Sequence, residues 1–379
     1  MSALWYNSAQ PTNIKDTYSQ YDQVDFLVKT PPGREVVAGS FRITAKLNIT
    51  KAIASNPTVQ VPIDVADAVF CNPFAGAHVF IQNATVSINE RTIESVAYYP
   101  RTVIMDTLAK NTLEELTACS DSAVEMKGNN GNVILAKADA PFSISPNLSM
   151  NKSSSNLPAS KYPMMKMMLT LSSALTALYV STPKPNPSTP DDIVSLNYTL
   201  TQLQLHWIEV PEAKVQPKEV VFNTNYLVTQ TVLSQNTTLN VVAPNVYDSV
   251  ACSFIQQAHL NSLYADSNMC EYLRDITSVE FTVDNKNFGP LGYKIGNGRN
   301  PPYEDIAHNA LKALRGNPDK NCIVNRVLSE NGAFLMGMSY SANQNSKLGV
   351  VIQIDSATQF IYSSYPYNAL LFVNGYATL

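Results

Sequence analysis

The chain has 379 residues, 30 acidic and 26 basic, and a formal net charge of −4. Only 15% is charged, against about 25% in an average soluble domain, and neutral Asn, Ser, Thr and Gln take up the difference. The length exceeds what one core usually fills, roughly 250–300 residues, so two domains are expected. The balanced charge excludes a strongly basic nucleic-acid binder, and without a run of about 18 apolar residues no membrane span is expected.

The opening MSALWYNSAQ has no basic region before an apolar stretch, so no secretory leader is expected. Through DTYSQYDQVDFLVKT the chain stays polar and aromatic with little periodicity, and residues 1–30 read as an extended N-terminal arm. Trp5, Tyr6, Tyr18 and Tyr21 are its amphipathic anchors, suited to docking on a neighbouring surface or to folding back on their own domain. Lys15 and Lys29 are its cations, too few for a polybasic genome-binding tail.

FRITAKLNIT follows, with Phe41, Ile43, Ala45, Leu47 and Ile49 alternating with polar residues, the period of a half-buried strand. A loop is expected at Pro57, then a strand and turn ending near Pro73. HVFIQNATVSINERTIES predicts two short strands, with Val86 and Ile88 inward and a turn at Asn89–Glu90. RTVIMDTLAKNTLEELTA, residues 101–118, has the spacing of a helix through Ile104, Leu108, Leu113 and Leu116. A long irregular region then runs to about Pro163, and 128–162 and 181–192 are expected as exposed loops. Between them MMKMMLTLSSALTALYV is apolar, and its methionines read as core packing.

SLNYTLTQLQLHWIEV closes the first half as a strand, with Leu203, Leu205 and Trp207 on one face and Gln202, Gln204 and His206 on the other. PEAKVQPKE, residues 211–219, carries two prolines and four charges and is the best linker candidate. The pattern then restarts. FNTNYLVTQTVLSQNTTLNVVAP gives one or two strands. SVEFTVDNKNFGPLGYKI gives a strand pair with Val279, Phe281 and Val283 inward. PPYEDIAHNALKALRGN gives a short helix with Ile306, Ala310, Ala313 and Leu314 on one face. GAFLMGMSYSAN, LGVVIQIDSATQFIYSS and YNALLFVNGYATL are three closing strands.

No motif announces chemistry. GNGRNPP lacks the GK[ST] that would cradle phosphates, and no GxSxG is present. Asp64 with Asp67, or Asp191 with Asp192, could form a carboxylate pair for glycoside hydrolysis, but no His or Lys converges on either. The five cysteines form no CxxC and the four histidines no HExxH, so free thiols and no metal or other cofactor are expected. Six N-x-S/T sequons read as by-products of an Asn-rich chain.

The two halves repeat one grammar. VSINER and FTVDNK each precede a helix, irregular loops, apolar strands and a closing strand. Each half has roughly eight strands, which suits a jelly roll. The expected fold is therefore all-β, two consecutive eight-stranded jelly rolls with short helices in loops, divided as an arm 1–30, a first jelly roll 31–212 and a second 213–379.

With halves joined at PEAKVQPKE, a first half closing on YTLTQLQLHWIEV, and the paired elements ATVSINERTIES and SVEFTVDNKNFGPLGYKI, residues 20–379 resemble the double jelly-roll major capsid proteins of icosahedral DNA viruses. The resemblance implies a structural protein of the virion, not an enzyme. Its two rolls would stand perpendicular to the shell, and three copies would form a pseudo-hexagonal capsomer. Neighbouring capsomers, penton and minor capsid proteins and an inner membrane are the partners it implies, without sequence-specific nucleic-acid binding. The chain is compact for that family, so outer towers should be small. A glycan- or receptor-binding β-sandwich, such as a viral spike or lectin, and a carbohydrate-active enzyme are the alternative readings.

Overall fold

A computed structural model describes residues 3–110, 138–180, 192–216, 218–232, 236–241, 246–271, 276–284, 286–287, 293–294, 303–314, 332, 334–339, 348–354 and 367–378. The first half contains β1 (Trp5–Ala9), β2 (Thr17–Ser19), β3 (Gln23–Lys29), β4 (Arg34–Val36), β5 (Arg42–Ile53), β6 (Asn56–Pro62), β7 (Val69–Phe70), β8 (Ile81–Ile88) and β9 (Arg91–Val96). Helix α1 (Tyr99–Lys110), β10 (Ala140–Ile144), β11 (Leu157–Pro158), β12 (Met164–Leu171), the single turn α2 (Ala174–Ala177), β13 (Tyr179–Val180) and β14 (Ile193–Pro211) complete it. The second half contains β15 (Val221–Val232), β16 (Asn236–Val241), β17 (Val246–Gln256), β18 (Ile276–Val283), β19 (Lys286–Asn287), β20 (Tyr293–Lys294), α3 (Tyr303–Ala313), β21 (Met336–Ser339), β22 (Leu348–Ile354) and β23 (Tyr367–Thr378).

All named pairings are antiparallel. In one sheet of the first half β14 is central. It pairs with β1 and β2 along one edge and with β4 and β5, in line, along the other, and β10 pairs with the far edge of β5. The facing sheet runs β3–β12–β8–β9. The second half repeats both orders with its own strands, as β15–β23–β17–β21 and β16–β22–β18–β19. Matched in chain order, eight strands of each half correspond, with β1/β2 and β4/β5 each counting as one interrupted strand; the short β6, β7, β11, β13 and β20 are additions to this shared set. The molecule is therefore two successive eight-stranded jelly rolls.

Local chemistry explains these elements. In β5 the predicted alternation places Ile43, Ala45, Leu47 and Ile49 in the core and the residues between them toward solvent. Facing strands add Val24, Phe26, Val28, Val86, Ile88, Met165 and Met167 to the same apolar cluster, so the two central methionines are core residues. The turn between β8 and β9 has Asn89 at φ 47° and Glu90 at φ 66°, the left-handed pair of a two-residue hairpin. Asp284, at φ 50° after β18, occupies the equivalent corner of the second half. Each hairpin is followed by a helix, α1 and α3 respectively.

Of the two readings of the N-terminal arm, its described residues follow the folded-back one: β1 and β2 hydrogen-bond to β14, and β3 to β12, because both sheets would otherwise present unpaired edges. Three expectations change. Pro57 lies within β6, an exposed strand at the border of β5, where a missing N–H costs little. Residues 138–162 are not an exposed loop, since Phe142, Ile144, Leu148, Met150, Leu157 and Tyr162 are buried. Their backbone lacks long periodicity because it follows the sandwich in short pieces. Helix α1 begins two residues earlier than expected, at Tyr99; residues 111–137 and 181–191 lie outside the described residues. Among the described residues no helix is long and apolar enough to cross a membrane.

Candidate functional site

Two regions combine exposed apolar groups or buried charge in ways that a sandwich core does not require. The first is the N-terminal surface. Trp5 opens β1 opposite Glu209, and the Arg34 guanidinium lies over its indole at 4.1 Å, a cation–π contact. Arg34 also donates to Glu209 at 3.2 Å, and the Trp207 indole N–H reaches the other carboxylate oxygen at 2.9 Å. Glu209 is thus a buried acid with both oxygens engaged. Tyr18, expected as an anchor, is instead a core residue at 2% exposure, and its hydroxyl donates to the Asn13 carbonyl. Its ring faces inward because β2 pairs with β14 in the register Leu200↔Tyr18.

Tyr6 is 78% exposed and Tyr21 70%. Among the described residues, the exposed large hydrophobic side chains are Leu4, Tyr6, Ile14, Tyr21, Val59, Val61 and Val215. The first four fall within the first 21 residues, and Val59 and Val61 lie on β6. Leu4, Ile14 and the β6 valines escaped the sequence reading because single apolar residues in polar segments carry no periodic signal.

The second region is the seam between the halves. The segment 152–154 runs along the edge of β15: Ser154 N donates to the Val221 carbonyl at 2.8 Å, Val221 N donates to Ser154 Oγ at 3.0 Å, and Ser153 bridges to Phe222. Glu94 of β9 sits beneath this contact at 3% exposure. Its two carboxylate oxygens accept from the amides of Ser149 and Asn225, each at 2.6 Å. Burial pushes the Glu94 carboxyl up, while Lys152 and the two amides pull the other way. Lys152 also reaches Asp106 of α1 at 3.3 Å. Burial would lift Asp106, but Lys152 and Lys110 more than offset it and hold it below its usual range.

Residues 257–271 of the second half grip the first half from another side. Asn72 donates to Asp266 at 2.7 Å, Arg101 Nη2 donates to the Ser267 carbonyl at 2.6 Å, and Asn268 donates to the Thr176 carbonyl at 2.8 Å. Burial raises the Asp266 carboxyl to about 6, against hydrogen bonds from the Asn268 amide and Asn72. His259 pairs with Glu271, whose hydrogen bond raises the imidazole pKa.

The carboxylates considered as a catalytic pair are engaged in local structure or separated. Asp67 pairs with Lys51 and accepts from the Asp64 amide, Asp64 accepts from the Ala66 amide, and Asp192 is buried beside β14. Asp191, Cys119 and Cys322 lie outside the described residues. Cys71, Cys252 and Cys270 are buried free thiols, and burial lifts Cys71 to about 12 and Cys270 to about 11. Among the described residues no cluster of three or more His, Cys, Asp or Glu could hold a metal ion. His206 is half-buried and shares a hydrogen bond with Thr44 at 2.9 Å.

No protein-family model matches the chain, and no curated protein matches it by sequence. Solved structures do. The Faustovirus major capsid protein matches with a TM-score of 0.62 at 6% identity, covering 100% of this chain and 91% of that one. A chain of the Sputnik virophage matches with a TM-score of 0.61 at 10% identity, covering 100% and 86%. The mavirus major capsid protein matches with a TM-score of 0.52 at 10% identity, covering 97% and 86%. Identity this low speaks to backbone architecture, and the match extends over both halves rather than one sandwich. The chain has the double jelly-roll fold of the major capsid proteins of large DNA viruses and virophages.

Proposed function

We propose that this protein is the major building block of an icosahedral virus shell, a structural subunit without catalytic activity that forms trimeric, pseudo-hexagonal capsomers. The observation that carries the reading is the repetition of one eight-strand order in two fused halves, in a chain matched end to end by capsid proteins. Two similar rolls per subunit give three subunits six similar corners, the geometry that a hexagonal tile needs. We assign the boundary between the rolls to Pro211–Pro217, and the first roll then begins at β1 rather than at residue 31.

The exposed N-terminal residues Leu4, Tyr6, Ile14 and Tyr21, with Trp5 at their edge, are the surface we assign to contact between copies. Tyrosine suits such a role because its ring adds apolar area while its hydroxyl tolerates water. The low charge supports the same reading, since charges are depleted from the cores of interfaces. Neighbouring capsomers, penton and minor capsid proteins and an underlying membrane are the partners of this role, and the virion is its location. Mass measurement in solution, followed by negative-stain microscopy, tests it. A stable trimer with a hexagonal outline is expected, and a monomer that never assembles would sink the proposal.

A further inference from the structure

Residues 257–271 leave the end of β17, cross onto the first half and return to the same strand. At the return, the Glu271 amide donates to the Phe254 carbonyl at 2.7 Å. The Glu271 carboxylate then closes the base of the excursion: one oxygen accepts from the Gln256 amide at 3.1 Å and the other pairs with His259 Nδ1. Glu271 is buried, whereas the His259 side chain is 35% exposed, so solvent protons reach the imidazole.

The tip is tied to that base through Ser267. Its hydroxyl lies 3.0 Å from the His259 carbonyl and 3.1 Å from the Leu175 carbonyl of the first half, and it accepts from the Asn261 amide at 2.9 Å. The Ser267 carbonyl takes the Arg101 guanidinium. Alongside, the Val180 amide donates to the Leu263 carbonyl at 2.8 Å, and Thr176 Oγ1 donates to Asn261 Oδ1 at 2.7 Å. A shift of His259 therefore reaches the contact between the halves through one residue.

Among the described residues, the titratable groups around this base are enclosed. Arg101 of α1 faces Asp266 and Glu271, with Cys270 and Tyr98 beside it, and Cys71 and Tyr179 neighbour Asp266. Two buried carboxylates thus share one permanent cation, and His259 is the group that can supply a second.

We propose that residues 257–271 are a proton-operated latch between the halves: protonated His259 holds it shut through Glu271, and loss of that proton as pH rises lets the segment open locally from the first half. A charged hydrogen bond is roughly twice as strong as a neutral one, and local opening draws on such differences. The hydrogen bond to Glu271 raises the imidazole above its ordinary 6.5. The hold is therefore complete below that value and is lost as pH rises through the folded-state value. Asp266, on the same segment, acts with the same sign at lower pH. The contact of residues 152–154 with β15 shares none of these groups. The latch belongs to the single chain and does not rest on shell building.

Hydrogen exchange of the full-length protein, read by peptide mass and corrected for the chemical rate at each pH, tests the latch. From about pH 6.5 to 8.5, protection of residues 257–271 should fall about fivefold, while that of β5 holds. His259→Gln keeps a donor but cannot charge, and should show the low, alkaline protection at every pH in this range. His259→Lys keeps a cation beside Glu271 and should retain the high protection at about pH 8.5. Protection that does not change with pH in the parent would overturn the latch, as would a fall that β5 shares equally. A fall that persists undiminished in both variants would do the same, leaving His259 a purely structural partner. If neither variant folds, the parent's comparison of 257–271 with β5 decides alone.

Discussion

The two rolls reach one topology by different routes. In the second, the central strand β23 pairs with β15 from Val221↔Thr378 to Val232↔Tyr367 without a register shift, and with β17 with a single one, between Tyr247 and Ser249. In the first, the corresponding central strand β14 shifts register twice against β5, and both of its flanking strands are interrupted. Bulges and breaks bend a sheet and redirect its side chains. The first roll uses that freedom to send out segments that meet the second, notably residues 149–154 along β15 and α2 beside Asn268. The comparison predicts that the seam is a cooperative part of the fold rather than a flexible joint.

The seam should therefore break first and hardest. Glu94→Ala leaves the buried Ser149 and Asn225 amides without their acceptor and removes a charge that favours Lys152, and should cost about 3–5 kcal/mol in denaturant unfolding. Phe222→Ala belongs to the same class, about 3–5 kcal/mol, because its fully buried ring meets Tyr162 edge-on at 6.0 Å across the seam. Both variants should still unfold in a single transition at lower denaturant. Two separated transitions would show instead that the halves fold independently.

Asp266 gives the seam a pH dependence of known sign. Its folded-state carboxyl, at about 6, lies above its ordinary value of 3.8. The protonated form therefore favours the fold; that contribution is complete below about pH 4 and lost as pH rises through 6, on the order of 2–3 kcal/mol. Asp266→Asn mimics the neutral form and should flatten this part of the stability profile. A parallel profile for parent and variant between pH 4 and 7 would contradict the assignment.

A smaller effect separates the second roll from the first. A Cβ at Gly337 on β21 would lie 2.8 Å from the Val250 carbonyl oxygen and 2.9 Å from the Ala313 Cβ. Neither can swing aside, so Gly337→Ala should cost about 1–3 kcal/mol by thermal melting. Tyr6→Ser marks the other limit. The residue is 78% exposed, so stability should move by less than about 0.5 kcal/mol, while the trimer fraction on a sizing column should fall. A stable trimer in that variant would remove Tyr6 from the interface.

Much of this architecture is legible along the chain. The closing strand even displays its bulge: Leu196, Tyr198 and Leu200 are buried at even positions, and Leu203, Leu205 and Trp207 at odd ones. Alternation must change phase there, and Gln202 at φ 52° absorbs the extra residue. The candidate site was far less legible. Arg101 lies in an amphipathic-looking helix, yet α1 is buried on nearly all sides because residues 257–271 close over it. Glu94 looks like an ordinary outward strand residue until β15 arrives with the Asn225 amide.

The sequence by itself determined the strand-rich class and the two hairpin-then-helix units, since these follow from periodicity and turn chemistry, both local properties. Only the tertiary structure decided that residues 5–29 complete both sheets of the first roll, that Tyr18 faces inward while Tyr6 faces out, that Glu94 meets the Asn225 amide, and that Asp266 and Arg101 meet at a second contact between the halves. Those outcomes depend on which edges need partners and which amides lie opposite a buried charge, and contacts between residues more than a hundred positions apart leave no periodic trace in the chain.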